Sequence, residues 1–89
     1  MAHLWRLHKQ FVIRRHFLSG KTLVYHSGSG QTHLLVDAFE WVFNYLYDNH
    51  DVFFVDNEIE KKLSYTVDIN EILSHLRTLW LVEAVEDLA

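Results

Sequence analysis

The sequence contains no cysteine and no proline, and it has only three glycines among its 89 residues. Without cysteine, the chain can form neither a disulfide framework nor a thiolate site for zinc. No apolar run approaches the roughly 20 residues that a membrane-spanning helix needs. The first ten residues lack the apolar stretch of a signal peptide, so we expect a cytoplasmic protein without a membrane segment.

Hydrophobic residues make up 49% of the chain and aromatic residues 15%, which provides enough apolar surface for one core. At this length we expect a single domain over residues 1–89. The charge is divided unequally. Residues 1–36 hold five basic residues and no acidic one, whereas residues 37–89 hold all twelve acidic residues and three basic ones. This division either steers a charged partner to one face or lets the two halves pair with each other.

The segment YHSGSGQTHLL, residues 25–35, predicts a β-hairpin, because a four-residue loop with two glycines separates two apolar segments. Strands are expected at 21–26 and 31–36, with a weaker strand at 11–18. If His26 faces Gln31, then Val24 faces His33. We expect the core face of this hairpin to carry Leu23, Tyr25, Thr32 and Leu34.

The hydrophobic period becomes helical at Asp37, which we expect to cap a helix together with Glu40. The apolar residues of this helix cover more of its circumference than a usual amphipathic stripe, so it is either central in the fold or partly left open for a partner. After a connector at 51–55, a short helix is expected at 56–65. A third helix should begin after Asp68 as its cap, with Glu71 completing the capping box. A short extended segment should follow it.

This order predicts an α+β fold in which a three-stranded antiparallel sheet is followed by three helices, like a winged helix-turn-helix. No catalytic residue is identified, and no cofactor is implied, since no nucleophile context or phosphate loop is present. The seven histidines have no ligand spacing, so no metal site is expected. Nucleic acid is disfavoured, because the exposed face of the third helix has one arginine and one acid. If DNA does bind, it would contact Arg14, Arg15 and Lys21.

Peptide or protein recognition remains. The segment QTHLLV has no proline or lysine to block pairing at a sheet edge, and such an edge binds an added strand through its main chain. Alternatively, the edge is covered by the N-terminal segment or by a second copy of the protein. The protein is therefore either a monomer or a homodimer.

The segment TLVYHSGSGQTHLL and the later segment EILSHLRTLWLVE resemble the PqqD family of leader-peptide chaperones, the RiPP recognition elements. The branch associated with an HPr-kinase-related protein is the most similar, and the resemblance covers roughly residues 11–83. It implies a non-catalytic module that binds a precursor's leader peptide as an added strand and presents it to a modifying or kinase-related enzyme. By position, the resemblance implicates eight residues in peptide binding: Gln31, Thr32, His33, Leu34, Leu35, Leu73, Leu76 and Arg77.

Trp80 departs from the family pattern, in which many relatives have a glycine at this place. Glycine readily takes the left-handed conformation that ends a helix, and tryptophan resists it. We therefore expect either that the third helix continues through Trp80 or that the indole closes the bottom of the core.

Overall fold

Residues 3–63 and 68–86 form an α+β fold with two small antiparallel sheets and three helices. The computed structural model describes residues 3–63 and 68–86. No helix within these residues is long and apolar enough to cross a membrane. The elements, in chain order, are β1 (His3–Leu7), β2 (Ile13–Leu18), β3 (Lys21–His26), β4 (Gln31–Leu35), α1 (Asp37–Asp48), β5 (Phe54–Val55), α2 (Asp56–Lys62), α3 (Ile69–Thr78) and β6 (Val82–Glu86).

The predicted hairpin is present, and it forms one sheet in the order β2-β3-β4. Its register is the predicted one, since Val24 lies opposite His33 and His26 opposite Gln31. The loop closes through the amide of Gly30, which donates to the carbonyl of His26 at 2.9 Å. Gly30 has a φ of 71°, a left-handed conformation that glycine adopts without steric cost.

The predicted core face of the hairpin is wrong. Leu34 is 51% exposed and Tyr25 is 43% exposed, and they share the outer face with Leu23 and Thr32. The opposite face is buried, and its threonine is satisfied by hydrogen bonds to α1. The hydroxyl of Thr22 donates to Glu40 at 3.0 Å and accepts from Asn44 at 3.0 Å. The buried residues of this face are Thr22, Val24, His26 and Leu35.

The second sheet has the order β5-β1-β6, and the sequence did not predict it as a unit. Residues 51–55 were expected to be a connector, but they include the two residues of β5. β1 is central and pairs with β6 along its whole length, from His3 opposite Glu86 to Leu7 opposite Val82. Trp5 of β1 is buried in the core. This sheet therefore assembles from three distant segments of the chain.

Helix α1 is central, which confirms one of the two alternatives from its apolar pattern. Its fully buried side chains pack in the core, and the helix contacts β1, β3 and α3. The expected capping box is wrong: the helix begins at Asp37 after Val36, and no side chain caps it. The carboxylate of Glu40 instead accepts a hydrogen bond from the hydroxyl of Thr22.

Helices α2 and α3 follow the sequence pattern more closely. Residues 64 and 65 of the predicted second helix lie outside the described residues. The carboxylate of Asp68 caps α3, since it accepts the amides of Asn70 at 3.0 Å and Glu71 at 3.4 Å. The apolar side of α3 is buried as expected, through Ile69, Ile72, Leu73 and Leu76.

The prediction for Trp80 is wrong in both its forms. Helix α3 ends at Thr78, and Trp80 is 57% exposed. The chain leaves the helix through a Schellman motif, in which the amide of Leu81 donates to Leu76 at 3.1 Å and the amide of Trp80 donates to Arg77 at 3.0 Å. Trp80 has a φ of 62°, so it adopts the left-handed conformation that glycine usually supplies.

Candidate functional site

Strand β4 forms an open edge of the β2-β3-β4 sheet. Among the described strands, β4 pairs with β3 alone. β1, the N-terminal strand that might have covered this edge, pairs instead with β5 and β6. Along β4, Gln31, Thr32 and Leu34 are exposed, His33 is half-buried and Leu35 is buried. The strand therefore has one paired side and one side that another strand can reach.

Two histidines and a phenylalanine lie near one another where β4 and α3 approach. The imidazole of His75 on α3 packs edge-on against Phe39 of α1, with ring centroids 5.1 Å apart. Burial lowers the pKa of His33, and the neighbouring imidazoles of His26 and His75 lower it further. Nε2 of His33 is buried without a hydrogen-bond partner in the described part of the chain. Strand β4 thus carries one unsatisfied ring nitrogen near His75.

The eight residues that the resemblance implicated lie in three different places in the structure. The five strand residues, 31–35, lie together along the open edge. Leu73 and Leu76 are completely buried, so they belong to the core and offer no surface to a peptide. Arg77 lines a separate cavity with residues of β6. In place of these three residues, His75 of α3 lies near His33, and it contacts Phe39 of α1. No sequence signal could have selected these two, because their role depends on where α3 lies relative to β4.

A small cavity of about 290 Å³ lies just beyond the end of β4, where Val36 lines it. Its apolar walls are formed by residues at the starts of α1 and α3. Three carboxylates surround these walls, from Asp37, Asp68 and Glu71. The oxygen Oδ1 of Asp68 is engaged by the helix cap. The cavity therefore favours a side chain with an apolar stem and a positively charged end.

The N-terminal basic residues pair largely with the acidic residues of the later segments. Arg6 contacts Glu83 at 2.6 Å and Lys9 contacts Asp51 at 2.5 Å. The Lys9 ammonium lowers the pKa of the Asp51 carboxyl. These contacts support the interpretation that the two oppositely charged halves pair with each other.

Arg15, like Arg6 and Lys9, is held by contacts within the protein. Its guanidinium donates to Asn44 at 3.0 Å and to Asp48 at 2.6 Å, and it lies 4.0 Å from the centroid of the Tyr47 ring. Arg14 is exposed and forms no ion pair within the described residues. Of the three basic residues considered for DNA binding, Arg15 is thus committed to contacts within the protein.

The described residues contain no group of three histidine, aspartate or glutamate side chains that could hold a metal ion. Comparisons of the chain with protein-family models, with curated proteins and with solved structures find no match. The functional argument therefore depends on the geometry of this chain.

Proposed function

We propose that this protein is a non-catalytic peptide-binding module of the cytoplasm that takes up a peptide as an added strand on β4. The observation that carries the proposal is the outer edge of β4, which pairs with no other described strand. Main-chain hydrogen bonds to such an edge provide affinity without dependence on sequence, and neighbouring pockets provide selectivity. The peptide would lie along residues 31–35, between β4 and His75.

The side chains along and beside β4 indicate the character of the ligand. The apolar side chain of Leu34 is half-exposed on the outer face of the sheet, and Phe39 packs against His75 near the opposite face. The 290 Å³ cavity with its carboxylates lies near the C-terminal end of β4, where Val36 contributes to it. We therefore expect a peptide with apolar residues along the strand and a basic residue at one end.

The resemblance to the PqqD family supports a specific version of this function. In that version the ligand is a precursor's leader peptide, and the module presents it to a modifying or kinase-related enzyme. The strand residues of the resemblance, Gln31–Leu35, coincide with the open edge.

A peptide selection tests the proposal. Random dodecapeptides displayed on phage are selected against the immobilised full chain, and the enriched peptides are synthesised and titrated into ¹⁵N-labelled protein. We expect enrichment of basic and apolar sequences, with the largest shifts and new protection from hydrogen exchange at the amides of residues 31–35. A failure to enrich peptides, or shifts confined to another face, would contradict the proposal.

The variant Leu34→Lys sharpens this test, because a lysine on an edge strand opposes pairing with another strand. Leu34 is 51% exposed, so we expect the variant to fold normally and to bind the selected peptides at least about tenfold more weakly. Tyr25→Lys is the matched control, since Tyr25 is similarly exposed on the same sheet face but belongs to the central strand β3. Equal effects of the two variants would place binding on the sheet face instead of the edge.

Two alternatives remain as outcomes of simple measurements. If β4 pairs with β4 of a second copy, light scattering will show a stable homodimer, and Leu34→Lys will convert it to a monomer. If the protein binds duplex nucleic acid, a gel-shift at low salt will show it. Arg14 and Lys21 would then carry the contacts, because Arg15 is already held by Asp48 and Asn44.

A further inference from the structure

A cavity of about 670 Å³ lies between α3 and β6, away from β4. This volume falls within the range of about 300–1,000 Å³ that is typical of small-molecule sites. No residue of β4 lines it, so it is distinct from the proposed peptide-binding edge.

Trp80 forms one wall of this cavity at a conformational cost. A left-handed backbone costs a residue other than glycine about 1–2 kcal/mol. Burial does not compensate for this cost, since Trp80 is 57% exposed. The indole is nevertheless held in place, edge-on to the ring of Phe11 at 6.4 Å and tilted against that of His8 at 5.9 Å. Strained positions of this kind concentrate at ligand sites.

Glu83 and Arg77 line the cavity, and they differ in whether an oppositely charged residue of the described chain already pairs with them. Glu83 is neutralised, because the guanidinium of Arg6 contacts its carboxylate at 2.6 Å. Arg77 is exposed and forms no ion pair within residues 3–63 and 68–86. The α3 side of the cavity also offers the hydroxyl of Ser74. The cavity thus combines an oriented indole, a free guanidinium and a hydroxyl donor.

We propose that this cavity binds a small aromatic anion, in which a flat ring stacks on Trp80 and a carboxylate or phosphate group pairs with Arg77. A flat ring gains affinity by stacking on an aromatic side chain. A guanidinium binds carboxylate and phosphate through two parallel hydrogen bonds, which fixes the direction of the ligand. Val82 and Ala84 of β6 line the opposite side of the cavity.

The test uses NMR titrations of the full chain with four probes. Adenosine monophosphate and indole-3-acetate are the two aromatic anions, adenosine supplies a ring without the anion, and inorganic phosphate supplies an anion without the ring. The chain has three tryptophans, and the indole signal of Trp80 is identified as the one missing from the spectrum of Trp80→Phe. We expect both aromatic anions, or one of them, to shift this signal and the amides of residues 74–78 and 82–84. The anion that binds identifies the ligand as a nucleotide or as an aromatic carboxylate.

Two variants separate the contributions of ring and charge. Arg77→Gln should weaken the aromatic anions about tenfold or more and leave adenosine unchanged. Arg14→Gln, which removes an exposed arginine of β2, is the matched control and should change nothing. Trp80→Gly should abolish the ring-dependent binding in a protein that remains folded, because glycine accepts the local backbone conformation.

Three results would overturn the proposal. The first is no shift at the cavity with either aromatic anion up to roughly 10 mM. The second is equal binding of inorganic phosphate and the aromatic anions, which would indicate an adventitious ion only. The third is an equal effect of Arg77→Gln and Arg14→Gln. None of these results bears on strand addition at β4, so the two proposals fail independently.

Discussion

Because of the backbone strain at Trp80, we expect a variant with glycine at this position to be more stable than one with alanine, the reverse of their order inside a helix. Inside a helix, glycine is about 1 kcal/mol less favourable than alanine. At position 80 the φ of 62° penalises any residue with a Cβ by about 1–2 kcal/mol. Glycine escapes this penalty but loses an extra 0.5–1 kcal/mol or so of conformational entropy on folding. We therefore expect Trp80→Gly to be more stable than Trp80→Ala by about 0.5–1 kcal/mol.

The comparison of two variants removes the effect of the lost ring. Both substitutions delete the indole and its contacts with Phe11 and His8, so their difference reports the backbone alone. Ser74 provides the control, because it is exposed within α3. There Ser74→Ala should be more stable than Ser74→Gly by about 1 kcal/mol. The measurement is urea denaturation followed by circular dichroism. If Trp80→Ala is at least as stable as Trp80→Gly, the strain argument is refuted.

Three further predictions concern other parts of the fold. Gly28→Ala should destabilise the protein by about 1–3 kcal/mol in urea denaturation, because a Cβ there would lie 2.5 Å from a ring carbon of Phe11. The pKa of His33 is lowered in the folded state, so the unfolded chain takes up its proton first and stability should fall as pH decreases below about 6.5. His33→Gln should flatten this dependence between pH 7.5 and 5.5. Arg15→Gln should cost about 1–3 kcal/mol in the same assay, because it removes two hydrogen bonds and a contact with an aromatic ring.

Each of these predictions has a control. In a Phe11→Leu background, Gly28→Ala should cost less, with the remaining cost due to the ring of His26 at 2.8 Å, and an unchanged cost would show that the Phe11 ring contributes nothing. Parallel stability profiles of the wild type and His33→Gln across pH would contradict the burial argument. Arg14→Gln removes an exposed arginine from the same strand, and a cost equal to that of Arg15→Gln would show that the contacts of Arg15 contribute nothing.

The sequence predicted those parts of the fold that depend on neighbouring residues. The hairpin register follows from a four-residue loop, and the cap at Asp68 follows from the residues next to it. The buried face of the hairpin was mispredicted, because the burial of Thr22 depends on partners in α1 and the burial of His26 on Ser29 and Phe11. Hydrophobicity alone ranks such residues as exposed, but the two hydrogen bonds of the Thr22 hydroxyl offset the cost of burying it.

The candidate site could likewise be predicted only where it depends on a single segment of the chain. The strand residues 31–35 could be identified, because an edge strand without lysine or proline is a property of one segment. The helix residues could not, since they depend on how α3 packs. Leu73 and Leu76 have the apolar character of a groove, yet they are completely buried in the core. The exposed tryptophan at position 80 also ran against expectation, because helix-ending geometry prevailed over the preference of its side chain.

The pairing of β1 with β6 has a consequence for synthesis on the ribosome. Strands β2, β3 and β4 are contiguous in the chain, so their sheet can form soon after residue 35 is made. β1 must wait for β6, since its partner in the register begins at Val82. Until then the indole of Trp5, which is buried in the finished protein, has no β6 to cover it. Strand β1 is therefore synthesised before the other described strands but is among the last of them to reach its final place, and a nascent chain stalled before Val82 should expose apolar surface that chaperones bind.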